Sequence, residues 1–281
     1  RAHPAPAHRA DLLLAHRRNK RRHLMISFFA PVPAREGLEW VKLSLQIFRA
    51  HWQRYIALAS MFLLILQMSS LLTGGLLFMF IKPILSVGFL AAAWHHERGE
   101  IPEIRHLFAG FKSNLRALIP LGGVYLVGVM LAATIGLTTS GLTMEQLKNA
   151  QEAAALPPDA VMQFMLVTIA LTLPLTAALW FSPALIVFSD ASFVQSLVIS
   201  AKACFQNILA MIVYALSMFG FLLLATLVMS PILYMLSPTL KIVVVLMMVV
   251  PMTAVQMISD YVSYRRIFHR DERVEKIAGA N

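Results

Sequence analysis

Six stretches of the chain are apolar and long enough to cross a bilayer: Tyr55–Leu72, Leu76–Ala93, Leu118–Leu137, Val161–Phe188, Ile208–Met229 and Ile242–Val262. A helix needs about 20 apolar residues to span a hydrocarbon core. The composition agrees: 58% of the 281 residues are apolar and 14% charged, against about 45–50% and about 25% in soluble domains. The expected fold is all-α, a polytopic membrane protein with six transmembrane helices.

Only Thr73-Gly74-Gly75 separates the first two stretches. As one helix, Tyr55–Ala93 would run roughly 58 Å at ~1.5 Å per residue, nearly twice a ~30 Å core. A tight turn at the glycines is the better reading, because glycine takes positive φ freely. Short amphipathic stretches precede spans one, three and five. Leu38, Val41, Leu45, Phe48, Trp52 and Tyr55 form one helical stripe; Ile104, Leu107, Phe108, Phe111 and Leu115 form the second; Phe193, Leu197, Ala201, Cys204 and Ile208 form the third. Apolar residues at this spacing, opposite a basic face, suit helices lying in the headgroup plane. Prolines fall at comparable places in the second span of each pair: Pro83, Pro183 and Pro251. The expected organisation is three hairpins, each led by an interfacial helix, with the three prolines as candidate helix breaks. Such internal repeats are usual in transporters without proving transport.

Of the 24 Lys and Arg, 21 fall on the side that holds both termini and two on the other, with Lys82 inside a span. Without the first 24 residues the ratio is 14 to 2. Basic residues mark the cytoplasmic side, so both termini are expected in the cytoplasm and the protein in a bacterial inner membrane. The net charge of +10 reads as topology and attraction to anionic headgroups at the cytoplasmic face. Membrane lipids are therefore the expected partners. A nucleic-acid partner is not expected, since no aromatic-basic surface accompanies the charge.

Residues 1–37 read as a basic, disordered segment, 38–268 as the membrane domain and 269–281 as a tail. The run Leu12–Ala15 is too short for a signal peptide, and Met25 reads as the native start. Thr138–Ala160 is the one long external connection, with a short helix expected in "TMEQLKNAQEAAA". Cys204 is the single cysteine, a small apolar filler rather than a reactive group.

Chemistry is sparse. "WHHERGEIPEIRHLFAGF", Trp94 to Phe111, holds His95, His96 and His106 with three glutamates. Zinc sites need three or four ligands at recognisable spacing, and neither an HExxH nor a nearby cysteine supplies it. A polar seam between membrane segments is the expected role, with no metal and no cofactor. GxSxG, Walker and GxGxxG signatures are missing from the sequence, so no nucleophile elbow or nucleotide loop is expected and no catalytic residue is assigned. Lys82 is the candidate functional position, since a charge inside a span tends to pair or snorkel. Gln67 precedes Gly74 by seven residues and Lys82 follows it by eight, so the two share a depth on adjacent spans. Lys82 and Gln67 are the candidate polar pair. Asp260, at the far end of span six, is the less favoured partner.

"RGEIPEIRHLFAGFKSN", "LWFSPALIVF" and "DYVSYRRIF" resemble the patterns of a family of proteobacterial integral membrane proteins known by a locus-tag style name. The resemblance spans about Leu38 to Phe268, and Leu179–Phe188 is its most specific piece. It implies a multi-span inner-membrane protein and brings no catalytic residues. The expected function is non-enzymatic, membrane-organising or lipid-interacting. The rival is a carrier or channel for a small or lipid-like molecule, and a membrane-embedded enzyme is a distant third.

Overall fold

The computed structural model describes residues 29–148 and 156–269. The expectations for residues 1–28 and the Met25 start, most of the external connection and the tail beyond His269 lie outside the described residues. Among the described residues the chain is helical throughout, with no strand. α1 is Glu36–Ala50, α2 Trp52–Thr73 and α3 Leu76–Glu97; a 3₁₀ stretch, Ile104–Lys112, follows. Then come α4 (Leu115–Ser140), α5 (Met144–Lys148), α6 (Pro158–Trp180), α7 (Ser182–Ser189), α8 (Phe193–Gln206), α9 (Ile208–Met235) and α10 (Pro238–Phe268). Six segments are long and apolar enough to cross a membrane, α6 and α7 counting together as one.

The turn between α2 and α3 is made by Gly74 and Gly75, both at positive φ (62° and 91°). Ser69, buried near the end of α2, accepts the Phe78 amide at 2.7 Å, which satisfies one of the orphan donors at the start of α3.

Of the three candidate prolines, Pro183 alone stands at an interruption. Pro83 and Pro251 lie inside continuous helices, as do Pro120, Pro174 and Pro231. At Pro183 a serine from another helix enters the backbone ladder. The Phe181 amide donates to Ser200 Oγ at 2.9 Å, and Ser200 Oγ donates on to the Ala177 carbonyl at 2.7 Å. A hydroxyl inserted between residues i and i−4 keeps both groups satisfied while the helix changes direction. Leu179–Phe188 is the segment built around this junction.

The segments expected to lie in the headgroup plane pack against the bundle with part of their surface. α1 buries Gly37, Trp40, Val41 and Ser44 against α9 and α10, while Leu38 and Trp52 of the expected stripe stay exposed. α8 buries Ser196, Ser200, Ala203 and Cys204 and leaves Val194, Val198 and Phe205 outward. The 3₁₀ stretch lies directly on α3: a Cβ at Gly110 would strike the Ile84 carbonyl, and one at Gly88 the backbone of Leu107. Leu107 is fully buried there, but Phe108 and Phe111 face outward. Residues 29–35, expected to be part of a disordered segment, are tied down. The Val32 amide donates to Asn207 Oδ1 at 2.7 Å and the Ala30 amide to the Ile267 carbonyl at 3.1 Å.

The main core gathers at the end of the bundle where α1 begins and α10 finishes. Trp40, Tyr55, Leu58, Phe89, Phe181, Ile258 and Tyr264 are its fully enclosed members. Away from that end the helices separate. α4 packs along α6, but the consecutive α9 and α10 scarcely touch, because α1 stands between their ends.

Candidate functional site

The histidine-rich stretch Trp94–Phe111 closes on itself. The His95 imidazole bonds the Glu100 carboxylate and stacks on His106, with ring centroids 4.4 Å apart and planes 6° from parallel. His106 Nδ1 accepts the Glu103 amide at 3.0 Å, in a reciprocal capping box. Burial, with His95 adding to it, holds the His106 imidazole below its usual pKa. Arg98 lies over the Trp94 ring at 3.7 Å, a cation–π contact. Glu97 accepts the Tyr261 hydroxyl and Arg265 Nη2 at 2.9 Å, binding α3 to α10. These groups spend their polar capacity on one another, so the stretch works as a clasp between segments. Among the described residues no group of three or more His, Cys, Asp or Glu side chains is placed to hold a metal ion.

Inside the bundle the Lys82 ammonium takes a partner other than the one expected. Lys82 Nζ donates to Tyr125 Oη on α4 at 3.4 Å and sits 4.8 Å from the centroid of that ring. Gln67 shares its depth but is exposed, and no hydrogen bond joins it to Lys82 among the described residues. Helical phase explains this: Phe62 and Ser69 mark the buried face of α2, and Gln67 is about 200° from Ser69 at ~100° per residue. Asp260 on α10 lies within electrostatic reach of Lys82 and of Tyr214 on α9. No side-chain hydrogen bond reaches the Asp260 carboxyl among the described residues. No ion pair joins Lys82 to Asp260 among the described residues, so the two act on each other only through space. Beside them, the Trp40 and Trp180 rings pack on Tyr214 at 6.1 and 5.8 Å, and neither indole N–H has a partner among the described residues.

Two clefts flank α10. The first, about 500 Å³, opens between α9 and α10 above α1 and is lined by Val41, Phe48, Met218, Leu222, Pro251 and Met252. The second, about 720 Å³, lies between α2 and α10 and is lined by Arg49, Trp52, Ile56, Ser60, Leu246 and Val250. Pro251 contributes to both walls, so this candidate break serves as a lining residue of a continuous helix. Both volumes fall in the range of ligand sites, about 300–1,000 Å³. Sequence reasoning missed the clefts. The first arises from the failure of α9 and α10 to pack, which is a property of α1.

No protein-family model, no curated protein and no solved structure matches this chain.

Proposed function

We propose that this is a non-enzymatic integral membrane protein that binds and organises lipid, holding acyl chains in the clefts on either side of α10. The separation of α9 from α10 carries the reading. Two consecutive spans that leave an apolar slot between them, in a segment long enough to cross a bilayer, leave it for hydrocarbon to fill. Met218 and Met252 in the slot wall suit a ligand of variable shape, since unbranched thioether side chains adapt to irregular surfaces. The basic asymmetry of the sequence supports a bacterial inner membrane with both termini in the cytoplasm, and the resemblance to proteobacterial membrane proteins points the same way.

The test is lipid analysis of the protein purified in mild detergent. Wild-type protein is expected to carry co-purified phospholipid, and Leu222→Trp, which fills the slot, to carry less at equal thermal stability. Equal lipid content in both proteins would overturn the reading.

The Lys82–Asp260 arrangement favours a second reading, a carrier for a small or lipid-like molecule, because ionisable groups inside a bundle commonly mark a path. Metabolite and lipid profiles of a deletion strain separate the two. Altered lipid composition supports the first, and accumulation of one solute the second.

A further inference from the structure

We infer that the cleft between α2 and α10 is a site for a single anionic phospholipid of the bilayer, with its phosphate on Arg49. This deepens the lipid-binding reading and rests on it.

Arg49 stands in the last turn of α1 and is exposed at the mouth of the cleft. Several other cations have carboxylate partners: Lys42 has Glu39, Arg265 has Glu97 and Arg266 has Glu36. Arg49 has no hydrogen bond or ion pair among the described residues. A guanidinium offers paired N–H donors in a plane that matches a phosphate. Trp52, 54% exposed, is the next residue of the cleft wall, and tryptophan favours the headgroup level of a membrane. Beyond it the wall turns apolar through Ile56, Leu246 and Val250, with Ser60 as its one small polar group. A charged mouth, an aromatic collar and an apolar floor, in that order, match the phosphate, glycerol and acyl chain of a lipid. No acidic residue lines the cleft, so charge complementarity selects an anionic headgroup over a zwitterionic one.

The experiment is native mass spectrometry of the full chain after exposure to phosphatidylglycerol or phosphatidylcholine with identical acyl chains. Wild type is expected to retain phosphatidylglycerol preferentially. Arg49→Gln should lower that retention about fivefold, the value of one charge near a membrane surface, and leave phosphatidylcholine unchanged. Val250→Trp, which fills the floor, should lower both. Arg54→Gln, outside the cleft, should change neither. Undiminished preference in Arg49→Gln, or an equal loss in Arg54→Gln, would overturn the headgroup site and leave the acyl-chain reading standing. Failure of the wild type to retain either lipid would overturn both.

Discussion

The Ser259 hydroxyl of α10 donates to the Ser44 hydroxyl of α1 at 2.9 Å, joining residues 215 positions apart in the chain. Both are buried. Ser44 has committed its own proton to the Trp40 carbonyl at 2.7 Å, so it is the acceptor. This contact fixes the helix that holds α9 and α10 apart.

The contact is expected to matter less than the close approach that permits it. Ser259 has a second acceptor in the Val255 carbonyl at 2.9 Å. Ser44→Ala should therefore cost about 0.6 kcal/mol, the average for hydrogen bonds between membrane helices. Gly37→Ala should cost more, about 1–3 kcal/mol for overpacking, because its Cβ would meet the Ala210 carbonyl and the Tyr214 amide. Thermal unfolding in detergent gives the order directly, and a larger drop for Ser44→Ala would refute it.

Lys82 and Asp260 are expected to behave as a coupled pair. No direct ion pair joins them among the described residues, so the coupling acts at longer range and should fall below the about 3–5 kcal/mol of a broken buried pair. Lys82→Met and Asp260→Asn should each lower the melting temperature, and the double variant should recover most of the loss. Gln67→Leu should be silent, since that side chain is on the exposed face of α2. Additive losses in the double variant would show that the two groups act separately.

The His106 clasp should loosen in acid. Its imidazole titrates below the usual value, so the unfolded chain binds the proton more readily than the folded one. The contribution to stability is complete above the ordinary histidine value near 6.5 and is lost as pH falls from there through the folded value. Protonation also removes the lone pair with which Nδ1 accepts the Glu103 amide. The hydrogen-exchange protection factors of residues 98–113, corrected for the intrinsic rate, should fall between pH 7 and 5, more than those of α3. His106→Gln, which offers an amide oxygen as a pH-independent acceptor, should flatten the change. An identical pH response in that variant would place the sensitivity elsewhere.

The 21-to-2 distribution of basic residues predicts an orientation with both termini in the cytoplasm. Periplasmic reporter fusions near Gln151 and Pro238 should be active, and fusions near Glu100, Ser196 and Asn281 inactive. Activity near Glu100 would overturn the assignment.

The number and place of the spans were legible because apolar length is a direct requirement of the bilayer. The packing faces of α1 and α8 were legible only in part: Val41 and Cys204 of the expected stripes are buried, and Leu38 is not. Lipid tails are as apolar as leucine, so helices in a membrane meet through small and hydroxyl-bearing residues. Gly37 and Ser44 flank Trp40 and Val41 on the buried face of α1, and Ser196, Ser200, Ala203 and Cys204 make that of α8, while Leu38, Val194 and Phe205 face out. Spacing of small residues was the available signal. The candidate pair failed on phase rather than depth, for Gln67 and Lys82 are level but Gln67 points away. Proline alone could not locate the break either, because five other prolines sit in unbroken helices. The deciding residue was a serine on a different helix.

That serine also sets an order of assembly. The ladder of the fourth span is closed by a residue synthesised 19 positions after Phe181. As the ribosome delivers the chain, the Phe181 amide and the Ala177 carbonyl emerge before the hydroxyl that will join them. The span becomes fully hydrogen-bonded only when α8 has emerged and folded back against it. A chain stopped short of Ser200 would hold four spans of sufficient length and still leave the fourth with an open backbone. The middle of this protein is finished by its last third.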